Sequence, residues 1–355
     1  MERSSFAERL IDWFSVHKRP LPWRENSDPY RVWLSEIILQ QTRVEQGKPY
    51  WERFVDTFPT VVDLANAEEQ TILRLWQGLG YYSRARNLHT TAIMVRDQYH
   101  GKFPSTYSEL LKLKGIGPYT AAAIASICFD EPQPVVDGNV YRFISRYAGI
   151  YEDIANPKTR KIFEAYLAPK IKRTKPGEFN QALMEYGATM CTPSSPACIV
   201  CGFQVDCHAQ ALGHQSQLPV KLKKTKVRER PITYLVFKQR ENWFAKQRQD
   251  KDIWQGLYDF ATIEGPIETE DVLKKVSSWL GTQHFIISEI SEPFTHLLSH
   301  QRIKATFYLI EVTDSSVHVN LPGNNQIKAY STEELLNLPK PKLIVNYLER
   351  LGYKE

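Results

Sequence analysis

The residues best suited to chemistry are two carboxylates. Asp137 stands in Val136-Asp137-Gly138-Asn139-Val140, twenty residues after Gly117 of the turn Leu113-Lys114-Gly115-Ile116-Gly117-Pro118-Tyr119. Two glycines, Gly115 and Gly117, let backbone N–H groups of a tight turn face outward, and Pro118 suits the first position of a helix. Such amides, with the positive end of the following helix, hold an anion such as a DNA phosphate without reading bases, although an ordinary helical hairpin has the same pattern. Asp137, followed by an apolar helix start, reads as a helix cap, a reacting carboxylate or both. Glu36 is the only carboxylate between Arg31 and Arg43. Burial among Val32, Ile37 and Leu39 would raise its pKa and keep it protonated, as a general acid requires; an exposed helix face is the plainer alternative. One protonated and one ionised carboxylate at one site form the pair used to cleave glycosidic bonds.

Cys191, Cys198, Cys201 and Cys207 are spaced C-x6-C-x2-C-x5-C, while the fifth cysteine, Cys128, lies alone in an apolar stretch. Four thiolates this close wrap a single metal centre in a reducing compartment. Structural zinc favours two close pairs; one short gap between longer ones suits a [4Fe-4S] cubane better. With no second cofactor motif nearby, the expected role is a structural staple.

These residues need elements to hold them. The chain has 355 residues, 42% hydrophobic and 24% charged, which fits a folded two-domain protein. Residues 6 to 212 read as successive helices broken at prolines and glycines, within an all-α domain spanning 1–217. Lys221, Lys223, Lys224, Lys226, Arg228 and Arg230 mark a basic stretch at 218–230, read as a solvated linker or a DNA-binding arm. Residues 231–355 read as an α+β domain, with strands at Thr233–Phe237, Trp243–Lys246, Leu257–Ile263 and Lys304–Val312 and helices near Thr269–Leu280 and Lys342–Leu351. The net charge of +5 permits a polyanionic partner without requiring one. No apolar run is long enough for a bilayer span and no signal segment opens the chain, so a bacterial cytoplasm and no membrane association are expected.

The hairpin, Asp137 and the four cysteines, in this order, resemble the helix-hairpin-helix DNA glycosylases of the endonuclease III superfamily over residues 6 to 212. Members that also cut the strand carry a lysine where this chain has Tyr119, so the resemblance implies a monofunctional enzyme that leaves an abasic site. Trp33-Leu34-Ser35-Glu36-Ile37-Ile38-Leu39-Gln40-Gln41-Thr42 resembles the MutY adenine glycosylases, in which this helix carries a catalytic glutamate. The resemblance makes Glu36 the proton donor to adenine and Asp137 the stabiliser of the sugar cation, supported by Tyr119 and Asn139. It places Trp23, Arg24, Leu39, Val44 and Glu185 in an adenine pocket. It assigns DNA contacts to Gln41, Thr42, Leu79, Tyr81, Gly115 and Gly117, with Gln41 and Tyr81 as wedges that fill the gap left by an extruded base.

Trp254-Gln255-Gly256-Leu257-Tyr258-Asp259-Phe260 resembles the opening of the Nudix-like domain of that family. The helix after it lacks the paired glutamates that hold magnesium in hydrolytic Nudix enzymes, so the domain is expected to bind and not to cleave. The family reads 8-oxoguanine through a Phe-Ser-His loop. Leu298-Ser299-His300 is the best match, which implies recognition by Ser299 and His300, with Phe294-Thr295-His296 as the alternative. Taken together, the resemblance implies a monomer acting on duplex DNA with adenine opposite 8-oxoguanine or guanine. A mismatch pyrimidine glycosylase and a catalytically silent lesion binder are the rival readings.

Overall fold

The computed structural model describes residues 5–222, 227–249, 251–314, 318–321 and 326–354. The chain divides into two compact units. One comprises residues 1–66 and 90–224, the other 67–89 and 225–355. Among the described residues no helix is long and apolar enough to cross a membrane.

The first unit is helical. Its opening helix, Phe6–His17, starts with a capping box in which Ser5 and Glu8 satisfy each other's backbone amides at 3.3 and 2.7 Å. Phe6, Leu10 and Phe14 recur every four residues and are buried. They join Phe143, Phe163, Phe179, Leu183 and Tyr186 in one core. The helix Pro118–Phe129 is buried all round from Thr120 to Ser126, and its small side chains let neighbouring helices approach. The Pro176–Thr189 helix packs tightly on the Gly138–Ala148 helix at Gly187, where an added Cβ would lie 2.5 Å from the Asn139 carbonyl oxygen. Only glycine fits that crossing.

Among the described residues the second unit is built on an eight-stranded sheet: β1 Arg228–Gln239, β2 Asn242–Gln247, β3 Tyr258–Asp259, β4 Ala261–Glu264, β5 Phe285–Ile290, β6 Phe294–Leu297, β7 Gln301–Val312 and β8 Ile327–Ser331. The order β3-β2-β1-β7-β5 has β4 added to β1, β6 to β7 and β8 to β2. β1 and β7 are parallel and the other pairs antiparallel. Val272, Val276 and Leu280 line one face of the Thr269–Leu280 helix and pack on Leu235, Phe237 and Ile310 of the sheet.

Three details differ from the sequence expectations. Residues 67–89 cluster with the C-terminal segment: Arg86 donates to the Gln255 carbonyl at 2.7 Å, and the Lys340 amide donates to the Gln77 side chain at 2.8 Å. β1 begins at Arg228, inside the basic stretch, where Arg230 is neutralised by Glu264 at 2.6 Å and Asp252 at 3.2 Å; Lys223, Lys224 and Lys226 lie outside the described residues. Strands β5, β6 and β8 were not expected. In β5 and β6 half-buried and exposed positions alternate with no fully buried residue, and apolar side chains fall on both faces, Ile286, Ile290 and Leu297 being exposed, so the sequence shows no matching alternation.

Candidate active site

Three elements of the first unit bring the chemistry together. Glu36 projects from the last turns of the Pro29–Ile38 helix, which begins with Pro29 at its first position and the Asp28 carboxylate accepting from the Tyr30 amide at 3.0 Å. Tyr119 sits in the first turn of Pro118–Phe129, directly after the hairpin. There Gly115 adopts φ +76, a conformation that strains any residue with a side chain. Asp137 is the N-cap of Gly138–Ala148, accepting from the Val140 amide at 2.7 Å.

A cavity of about 560 Å³ is lined by Glu36, Leu39, Gln40, Gln41, Gly115, Gly117, Pro118, Tyr119, Thr120, Asp137, Gly138 and Arg160. Burial, chiefly, pushes the Glu36 carboxyl up to about 7. A hydrogen bond with Tyr119 pulls it down, the charge of Asp137 adds to the rise and that of Arg24 opposes it. Burial also raises Asp137 above its ordinary range, against bonds from Val140 and Asn139 and the positive charge of Arg142, all of which favour the carboxylate. The two acids differ in degree: both are raised chiefly by burial, but Asp137 has donors from both Val140 and Asn139 to its ionised form, whereas Glu36 has the Tyr119 hydroxyl and the like charge of Asp137 beside it. Burial keeps the Tyr119 phenol protonated, and its hydroxyl also reaches Met184 Sδ at 3.1 Å.

Asn139 donates to Asp137 Oδ2 at 2.8 Å without lining the cavity. Behind it stands Arg142, whose guanidinium donates to Asn139 Oδ1 at 2.8 Å, the Gly187 carbonyl at 2.5 Å and the Cys191 carbonyl at 2.7 Å. Neither Arg142 nor Arg160 stood out in the sequence. Both are single arginines on helix faces, identical by pattern to solvated ones.

The expected adenine-pocket residues fare unequally. Leu39 lines the cavity and Arg24 acts on Glu36 by its charge. Trp23 is buried edge-on against Trp51 at 5.7 Å, and Val44 opens the Val44–Thr57 helix; neither lines the cavity. Glu185 is buried and held by Arg19 at 2.6 Å and Arg24 at 2.8 Å. Burial pushes its pKa up, but the bonds from Arg19 and Arg24 prevail and keep it ionised below its ordinary value. Arg19 escaped notice because its partner lies 166 residues away.

Gln41 is exposed and lines the cavity with φ +58, and Thr42 follows it, its hydroxyl 3.4 Å from the Gln40 carbonyl. Leu79 and Tyr81 belong to the second unit, where Leu79 is buried and Tyr81 is exposed at φ +49. Leu298-Ser299-His300 forms the turn between β6 and β7, closed by the Leu298 amide on the Gln301 carbonyl at 2.8 Å. Ser299 and His300 are exposed and 3.3 Å apart at Oγ and Nδ1, whereas Phe294-Thr295-His296 is strand β6.

Cys191, Cys198, Cys201 and Cys207 line one small cavity with Phe143, Arg146 and Phe203. Arg146 is buried, with Nη1 3.5 Å from Cys191 Sγ and bonds to the Thr192, Pro193 and Leu218 carbonyls that fold the loop around it. Among the described residues no group of three or more His, Cys, Asp or Glu side chains is set to hold a single metal ion.

Residues 34–169 match the HhH-GPD superfamily base excision DNA repair proteins, and residues 232–350 match the NUDIX domain. An adenine DNA glycosylase of Buchnera aphidicola subsp. Schizaphis graminum (strain Sg) is 35% identical over 300 residues, 83% of this chain and 85% of its own. The adenine DNA glycosylase of Buchnera aphidicola subsp. Baizongia pistaciae (strain Bp) is 33% identical over 346 residues, 95% of this chain and 94% of its own. Among solved structures, a thermostable thymine-DNA glycosylase aligns with TM-score 0.54 and 27% identity over 58% of this chain and 95% of that one. A helical glycosylase fold joined to a Nudix-like one, and relatives matched over nearly their whole length, make this chain a DNA glycosylase that belongs to the adenine DNA glycosylase family.

Proposed function

We propose that this glycosylase hydrolyses the N-glycosidic bond of adenine mispaired with 8-oxoguanine, and also with guanine, in duplex DNA, leaving an abasic site. The observation that carries the reading is the pairing of Glu36, with its pKa near 7, and a donor-supported Asp137 on one cavity. The names of the relatives support adenine as the base removed.

Adenine must leave the helix to reach the cavity, with Gln41 wedging the gap it vacates. The protonated Glu36 gives its proton to a ring nitrogen as the C–N bond breaks and its electron pair departs with the base. Asp137, ionised, stabilises the positive charge that develops on the sugar, and its bonds from Asn139 and Val140 hold it in place. Water adds to the sugar carbon and returns a proton to Glu36. Tyr119 offers no amine for a Schiff base, so the strand stays intact. The Gly115–Gly117 turn presents backbone amides to a phosphate, Leu39 and Arg24 face the extruded base, and Ser299 and His300 read the opposing lesion.

The four cysteines fit a [4Fe-4S] cluster: they face one cavity, are sheltered by aromatic rings and have Arg146 beside Cys191 to support thiolate charge. When bound, the cluster would supply iron–thiolate bonds from Cys191, Cys198, Cys201 and Cys207 that close the loop. Arg142 bonds the Cys191 carbonyl and so relates that loop to Asn139. The enzyme works as a monomer on the DNA of a bacterial cytoplasm.

The test is a duplex with one adenine:8-oxoguanine pair, incubated with the protein and then heated in alkali. Breakage of the adenine strand only after alkali is expected; binding without breakage would leave a silent lesion binder instead. Breakage without alkali in equal yield would refute the role of Tyr119. In Ser299→Ala the preference for 8-oxoguanine over guanine should shrink, and an unchanged preference would remove that turn from lesion reading.

A further inference from the structure

The phenol oxygen of Tyr186 stands 3.1 Å from Cys201 Sγ. Tyr186 lies near the end of the Pro176–Thr189 helix and has no exposed surface. Its ring is fixed on three sides: stacked on Phe143 at 4.7 Å, and edge-on to Trp13 at 4.6 Å and Phe203 at 5.1 Å. A thiolate at Cys201 carries no proton, so within this pair the phenol hydroxyl is the only donor and the sulfur the acceptor. A phenylalanine would pack against the same three rings. A buried hydroxyl costs free energy unless it is bonded, and here the sulfur is the acceptor that accounts for it.

We infer that Tyr186 is a positioning residue for the iron–sulfur centre, donating a hydrogen bond to the Cys201 thiolate and thereby raising the reduction potential of the cluster. This rests on the cluster reading of the four cysteines. A donor on a ligand sulfur withdraws electron density and favours the electron-richer state, so the couple becomes easier to reduce. The geometry is local to the first unit and does not involve the cavity of Glu36 and Asp137. The effect therefore belongs to the centre's electronics and retention.

The experiment is voltammetry of the intact, anaerobically purified holoprotein, with iron and acid-labile sulfide measured on the same samples. Tyr186→Phe should shift the potential to more negative values than wild type, while Trp13→Phe, which keeps the hydroxyl, should leave it in place. An unshifted Tyr186→Phe that retains its cluster overturns the inference. If that variant loses the cluster, replacement of Tyr186 by a ring-fluorinated tyrosine decides. A more acidic phenol donates more strongly, so the potential should move positive, and no movement overturns the inference. A wild-type protein without iron and sulfide would instead overturn the cluster reading itself, and this inference with it.

Discussion

Asn139 holds Asp137: its side-chain amide donates to Asp137 Oδ2 at 2.8 Å while the Val140 amide fills Oδ1 at 2.7 Å. Each oxygen of the carboxylate is thus met by a donor that prefers the ionised form. The same cap that starts the Gly138–Ala148 helix turns Asp137 toward the cavity it shares with Glu36 and Tyr119. Helix capping and placement on the cavity are one arrangement here.

For Asp137→Asn, the capping role survives, because asparagine serves as well as aspartate at an N-cap, and unfolding free energy should change by less than about 1 kcal/mol. The charge opposite the developing sugar cation disappears. Binding of the mismatched duplex should persist while single-turnover base release falls by at least about a hundredfold, the scale of losing one electrostatic stabiliser. A variant with near-normal release would take Asp137 out of the reaction.

The raised Glu36 pKa has two consequences of defined sign. Proton donation needs the neutral acid, so the rate of base release should decline as pH rises through about 7, and Glu36→Gln should be inactive across the range. The folded state favours protonated Glu36 relative to its ordinary value of 4.5, so it loses stability from this group as pH rises from 4.5 toward 7. Glutamine does not titrate. The thermal midpoint of Glu36→Gln should therefore gain on the wild type between pH 5 and pH 8, and parallel pH dependences of the two proteins would contradict the burial of this carboxyl.

How much of this was legible depended on range. The hairpin, Asp137 and the cysteines are local patterns, each written within a few residues, and the structure seats Glu36 and Asp137 on one cavity. What was not legible is set by partners distant in sequence. Arg19 and Glu185 meet across 166 residues and Arg142 reaches Cys191 across 49, so neither pairing leaves a periodic trace. Residues 67–89 read as more of the helical series, yet their bonds to Gln255 and Lys340 place them with the sheet. Strands β5 and β6 escape a sequence reading for a different reason: burial alternates along them but hydrophobicity does not, with Ile286, Ile290 and Leu297 exposed.

Arg142 should matter without touching the reacting atoms. Its guanidinium ties Asn139 Oδ1 to the Gly187 and Cys191 carbonyls. Loss of a charge-assisted bond of this kind costs about 1.5–3 kcal/mol, a factor of roughly 10 to 100. Arg142→Gln should lower the single-turnover rate by that factor with duplex affinity little changed. Equal losses in affinity and rate would point to general unfolding of the loop.

Glu185 is buried in an ion pair whose loss should be felt in stability. Its carboxylate has no exposed side-chain surface and is shared by Arg19, itself about a third exposed, and Arg24. Removing the charge from one side of a buried pair strands the other, which costs about 3–5 kcal/mol when both partners are buried; the exposure of Arg19 reduces this toward about 2–3 kcal/mol. Glu185→Gln should destabilise the protein by that amount in denaturant unfolding at neutral pH. Its depressed pKa means the stabilisation is present above the ordinary carboxylate range and lost as pH falls below it, so the gap between variant and wild type should close on acidification. A variant of full stability with altered base selectivity would instead return Glu185 to the adenine pocket.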